Sequence, residues 1–243
     1  GGSLVFDTTP LEAALDVLGN PWLDLEISAD RPVAMVAARL SDVGVDDKAT
    51  RVTYGLLNLT HRDSSSVPQP LVPGRFYRVS VKLNDCGQRF PAGHRLRIAL
   101  STSYWPLAWP APEPVRLTLR VAGCRLCLPV RRATQAGDGH IGFGPAESAP
   151  PLAMENRAPG RHRWRVLRDL GTDLATLEVI NDDGTVHLPD CDLEMQRSAE
   201  EWYSYRGYDY DSLRGETLWR RGFRRGDWSV HTITRTVLDS DRD

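Results

Sequence analysis

Lysine is nearly absent from this chain: Lys48 and Lys82 are the only two among 30 basic side chains, and arginine supplies the rest. That bias reads as the codon usage of a GC-rich bacterial genome and carries no functional message. No stretch of eighteen apolar residues occurs, so no helix is expected to cross a membrane. The opening residues have neither a basic region nor an apolar core ahead of a small-residue cleavage site, so no signal peptide is expected. A net charge of -2 gives no long-range pull on nucleic acid. The four cysteines are too sparse for a disulfide framework and fit a reducing compartment. Cys124-Arg-Leu-Cys127 has the spacing of half a zinc site, but no second pair stands at matching spacing to close a tetrahedron. Residues three apart on a strand also point to opposite faces. The six histidines are isolated, without His-x-x-x-His spacing. Neither a metal nor another cofactor is expected. A nucleophile elbow is missing too, because Gly-x-Ser-x-Gly occurs nowhere and Gly226-Asp-Trp-Ser229 lacks the second glycine.

What the chain does contain is strand signal along most of its length. Trp22 to Ser28, Phe76 to Leu83, Arg95 to Ser101 and Val115 to Val121 alternate apolar with polar residues, the period of a half-buried strand. Val33 to Leu40 and Thr50 to Leu59 follow one another at hairpin distance, and Arg125 to Val130 closes the set. About eight strands separated by proline and glycine predict an antiparallel sandwich. Pro10 to Leu18 has the signals of a short helix, with proline in the first turn and Gly19 at the C-terminal cap.

Residues 132–159 lose this periodicity and read as a linker rich in glycine, alanine and proline. Beyond it, strands are expected at Arg161 to Asp169, Leu174 to Asn181, Val186 to Leu188, Leu193 to Arg206, Glu216 to Arg225 and Trp228 to Leu238. Asn181-Asp-Asp-Gly184 is expected to turn a hairpin, since aspartate and glycine tolerate positive φ. Arg225-Gly-Asp227 is expected to turn the last one. The fold class is therefore all-β: a jelly-roll sandwich over 1–131, then an antiparallel meander or partial barrel over 160–243.

Two segments carry a resemblance. Leu4 to Pro21 contains Asp7-Thr-Thr-Pro-Leu11, and Phe90 to Leu119 contains Ala92-Gly-His-Arg-Leu-Arg97. Both resemble the C-terminal, galactose-binding-like β-sandwich of the cocaine-esterase and X-Pro dipeptidyl-peptidase group of serine hydrolases, where a strand enters through such a turn. The resemblance spans roughly residues 4–130. Past residue 160 only the strand pattern and Trp219 to Trp228 are similar to longer members. It implies a turn and strand, rather than a helix, over much of Pro10 to Leu18. In that group the nucleophile, acid and histidine lie on an α/β-hydrolase domain upstream of the sandwich, so no catalytic residue carries over to this sequence. The resemblance implies a fragment that packs on, and supports, that hydrolase domain, without activity of its own.

Several clusters invite a functional reading. Tyr104-Trp-Pro-Leu-Ala-Trp109, followed by three more prolines to Pro114, makes a stiff apolar loop, and Tyr104, Trp105 and Trp109 are candidate anchors against the hydrolase domain. Folding back onto its own sandwich is the alternative. His94, at the mouth of a strand, reads as a turn residue bound to backbone. Asp182 with Asp183, and Asp209 with Asp211, lack the glycine and glutamate of a calcium loop and read as turn carboxylates. Trp202 to Tyr210 packs five aromatics into nine residues, with Trp202 facing away from Tyr203 and Tyr205 on an alternating strand. Arg220, Arg221, Arg224 and Arg225 are expected to ladder against Glu194, Glu200 and Glu201 rather than bind phosphate. The last strand has no partner in sight, so an open edge or a homodimer through it is expected. The whole reads as a bacterial cytoplasmic chain. A free-standing carbohydrate-binding module and a small apolar-ligand barrel in the second half stand as the competing readings.

Overall fold

The computed structural model describes residues 2–131 and 144–240. The chain divides into two compact units, Gly1–Ile141 and Gly142–Asp243. Among the described residues no helix is long and apolar enough to cross a membrane.

Among its described residues the first unit holds ten strands: β1 (Leu4–Asp7), β2 (Leu15–Gly19), β3 (Trp22–Ala29), β4 (Met35–Val43), β5 (Ala49–Asn58), β6 (Tyr77–Lys82), β7 (Cys86–Phe90), β8 (Arg95–Ser101), β9 (Leu117–Leu119) and β10 (Arg125–Cys127). One sheet runs β1-β8-β4-β5, a second runs β10-β3-β6 with β9 also on β3, and β2 pairs with β7. Every pairing is antiparallel. Period-2 alternation explains the packing, because register aligns the apolar set of each strand on one face. Leu40 faces Ile98 and Ala38 faces Leu100 in the first sheet, while Leu23 faces Val81 and Leu25 faces Val79 in the second. These side chains form one buried core with Val17 and Phe90 from the small sheet. Each fully buried large apolar residue contributes about 1.5–3 kcal/mol. At Gly55 an added Cβ would lie 2.0 Å from the Lys82 carbonyl oxygen, so glycine lets β5 approach β6 closely.

The second unit is a meander: β11 (Glu155–Ala158), β12 (Arg161–Asp169), β13 (Leu174–Leu188), β14 (Leu193–Arg206), β15 (Asp209–Arg225) and β16 (Trp228–Asp239). The order is β11-β13-β14-β15-β16, with β12 beside β11 on the same side of β13. Among the described residues β16 pairs only with β15, so the sheet is open and no barrel closes. Register sorts its faces. Trp164, Val166, Leu177, Val179, Tyr203 and Trp219 share one, and Arg165, Glu178, Glu200, Glu216, Arg220 and Arg235 share the other.

Several expectations change. Pro10 to Leu18 is no helix: a turn leads into β2, whose Val17 joins the core, so tertiary packing overrides the local helix signals. Asn181 to Gly184 turns no hairpin. Asp182 pairs with Ser198 and Thr185 with Gln196, so two residues of one continuous strand bulge against Arg197. Gly184, at φ +71°, supplies the left-handed backbone that a bulge needs as readily as a turn does. The reversal missed in sequence is Gly207-Tyr208, between Arg206 and Asp209. Of the segment read as a linker, residues 132–143 lie outside the described residues, and Glu155–Ala158 forms β11.

Candidate functional site

His94 is the residue closest in form to catalytic machinery. It sits after Gly93 at the start of β8, and its Nδ1 lies 2.8 Å from Oδ1 of Asp42 on β4. An imidazole oriented by a carboxylate is two-thirds of a nucleophilic triad. The third member is missing: among the described residues no hydroxyl or thiol is hydrogen-bonded to a histidine ring. The Leu11 amide donates to the His94 carbonyl and the Gly93 amide to the Leu11 carbonyl, so this corner holds the opening turn to β4 and β8. Sequence reading expected a backbone partner for the ring. The Asp42 carboxylate, 52 residues away in sequence, was not legible.

An aspartate and a threonine at a strand entry can cap the backbone that follows them. Instead Asp7 accepts two hydrogen bonds from Arg97, at 2.7 Å each, because register places it directly across β8. The Arg97 bonds hold the Asp7 carboxyl below its ordinary range. Thr8 does bind an amide, that of Leu96, again across the strands.

The aromatic loop after β8 divides between its own sheet and solvent. The Tyr104 ring meets Tyr54 edge-on at 5.3 Å, with the Arg39 guanidinium 5.3 Å from its centroid. Trp105 and Trp109 pack edge to face at 5.0 Å. Leu107 remains 54% exposed and Trp109 36%. The three candidate anchors therefore share one loop, Tyr104 on the sheet and Trp109 at the rim.

Of the arginine-rich run in the second unit, Arg220 bonds Glu200 at 2.7 Å and Arg224 bonds Glu194 at 3.1 Å as expected, whereas Arg221 lies over the Trp219 ring and Glu201 accepts from the Tyr203 hydroxyl. Outside the run, Arg235 on β16 bonds Glu216 at 2.7 Å. Glu178 is penalised by burial, yet hydrogen bonds from Arg165 and Trp202 outweigh that and keep its carboxyl below the usual range. Trp202 points opposite to Tyr203 and Tyr205, as alternation requires. Burial, and then the Glu201 carboxylate, push the Tyr203 phenol up to about 12. Asp182 and Asp209 accept from the amides of Gly184 and Asp211, the behaviour of turn carboxylates. His187 lies between Asp192 at 3.1 Å and Glu155 at 3.3 Å, and those carboxylates raise its pKa. All four cysteines are free thiols, and among the described residues no cluster of three or more His, Cys, Asp or Glu could hold a metal.

Comparison with known proteins places this geometry. The family described as X-Pro dipeptidyl-peptidase C-terminal non-catalytic domain matches residues 1–141. A Rhodopirellula baltica protein named "Putative Xaa-Pro dipeptidyl-peptidase" is 24% identical over 133 residues, 52% of this chain and 21% of that protein. A cocaine esterase of Rhodococcus sp. is 25% identical over 103 residues, 42% of this chain and 18% of the esterase. The chain thus spans about a fifth of the length of the curated relatives it matches. With its all-β first unit and a match over residues 1–141, more than half of its length, the chain belongs to the family of X-Pro dipeptidyl-peptidase C-terminal non-catalytic domains.

Proposed function

We propose that the chain is the C-terminal part of a larger bacterial, cytoplasmic serine hydrolase, acting on esters or X-Pro peptides, and that its sandwich packs on and supports an α/β-hydrolase domain. The observation that carries this reading is the family match over 1–141, coupled with relatives about five times the matched length. Tyr104, Trp105 and Trp109 are the proposed anchors, because a proline-stiffened loop presenting Trp109 and Leu107 at a rim loses little conformational entropy on docking. The isolated chain has no turnover of its own: a histidine without a bonded nucleophile cannot generate an alkoxide. Assay of the isolated chain with p-nitrophenyl esters and Xaa-Pro p-nitroanilides is expected to give background rates. Turnover abolished by replacing one serine would falsify the reading.

The exposed edge β16 is the proposed contact of a homodimer, since an unpaired strand edge is a template for pairing. Light scattering is expected to report a dimer that Thr234→Pro dissociates, and a monomer at all concentrations removes this part of the proposal.

A further inference from the structure

The outer face of the β1-β8-β4-β5 sheet carries three arginines, of which Arg39 and Arg51 lie over the rings of Tyr104 and Tyr54 and have no carboxylate partner among the described residues. Register aligns Ala99, Arg39 and Tyr54 in one cross-strand row and Arg97, Ser41 and Arg51 in the next, so three arginines converge on one face. They line a cleft of about 550 Å³ together with Ser3, Ser41 and Tyr104, and among the described residues no acidic side chain lines it. Arg97 is neutralised by Asp7. Arg39 and Arg51 have no ion pair among the described residues: Arg39 donates to the hydroxyls of Ser3 and Ser101, and Arg51 to that of Tyr104. Arg39 is half-buried, with its Nε sealed from solvent and without an acceptor, so its charge is partly desolvated and poorly matched. That arrangement costs stability unless a counter-charge arrives.

The hydroxyls strengthen the case. A hydroxyl that accepts from a guanidinium keeps its own hydrogen to donate. The Tyr104 hydroxyl accepts from Arg51 and retains its proton for a further acceptor. Ser3 and Ser101 lie 3.2 Å apart, so one donates to the other and the second keeps a hydrogen free to turn outward. The floor between the arginines is made of small side chains, Val5, Ala49 and Ala99, which admit a ligand close to the sheet. Two unpaired guanidiniums and hydroxyl donors around a shallow small-residue floor fit one chemistry, charge-assisted bonds to paired oxygens.

We infer that this face binds a small oxyanion, a carboxylate or phosphate group, held by Arg39 and Arg51 and by the Tyr104 hydroxyl. Tyr104 also belongs to the docking loop proposed above, so the test uses the isolated chain, where its outcome does not depend on that docking. The test is a titration of the chain with inorganic phosphate and, separately, succinate, at constant ionic strength in a chloride buffer. Calorimetry measures affinity, and amide shifts locate the site. Saturable binding of either anion, centred on Ser41, Arg51 and Tyr104, is expected, and which of the two saturates assigns the phosphate or the carboxylate chemistry. Arg51→Gln, at an exposed position that leaves the fold intact, is expected to weaken it at least about tenfold, and Arg39→Gln likewise. Arg89→Gln, on β7 and outside the cleft, should leave it unchanged. A response to both anions that never saturates, or that is the same in Arg51→Gln, means an adventitious ion only and overturns the inference.

Discussion

Asp7 and Arg97 face each other across β1 and β8, and their bidentate contact ties the first strand to its sheet. Because the Asp7 carboxyl is lowered in the folded chain, its contribution is fully present above the ordinary carboxylate value of about 3.9 and is lost as pH falls through the lowered value. Amide exchange of β1 should therefore accelerate selectively in acid, and Asp7→Asn should make it fast at neutral pH as well. His187 works in the opposite sense. Its pKa is raised by Asp192 and Glu155, so the stability it lends is complete below about 6.5 and is lost as pH rises through the raised value. Denaturant midpoints of the second unit should decline as pH rises from about 6.5 through the raised value, and His187→Gln should flatten that decline. Gly55→Ala forces a Cβ onto the Lys82 carbonyl and is expected to destabilise the first unit by more than about 2 kcal/mol in urea unfolding.

At the scale of the element, alternation made most strands legible, and the limits of that legibility have identifiable causes. Arg161–Asp169 and Leu193–Arg206 read correctly to the residue because a two-faced sheet stamps its period on the sequence. Asn181 to Gly184 misled because a bulge and a hairpin ask for the same backbone, and only the partner strand distinguishes them. Gly184→Ala tests the assignment: its Cβ would lie 2.2 Å from the Ala158 carbonyl at positive φ, so β11 should lose amide protection while β13 and β14 stay paired. If β13 and β14 lose protection together, the strand is not continuous through the bulge. The His94–Asp42 pair and the Arg39–Arg51 face escaped sequence reading for a different reason. Both are made by register across β4 and its neighbours, and nothing local encodes register.

At the scale of the molecule, the motifs Asp7 to Leu11 and Ala92 to Arg97 were enough to place the first unit, since both lie where β8 meets the opening segment. The second unit offered only its period, and its faces became readable once register sorted apolar from charged side chains. The central claim is that the sandwich is a non-catalytic domain docked through its aromatic loop. Hydrogen exchange measured on the isolated chain and on the full-length protein tests it most directly. The account predicts that amides of the 104–114 loop exchange at least about tenfold more slowly in the full-length protein, and that Trp109→Ala removes the difference. Equal exchange of this loop in both, with protection appearing on some other face of the sandwich, would contradict it.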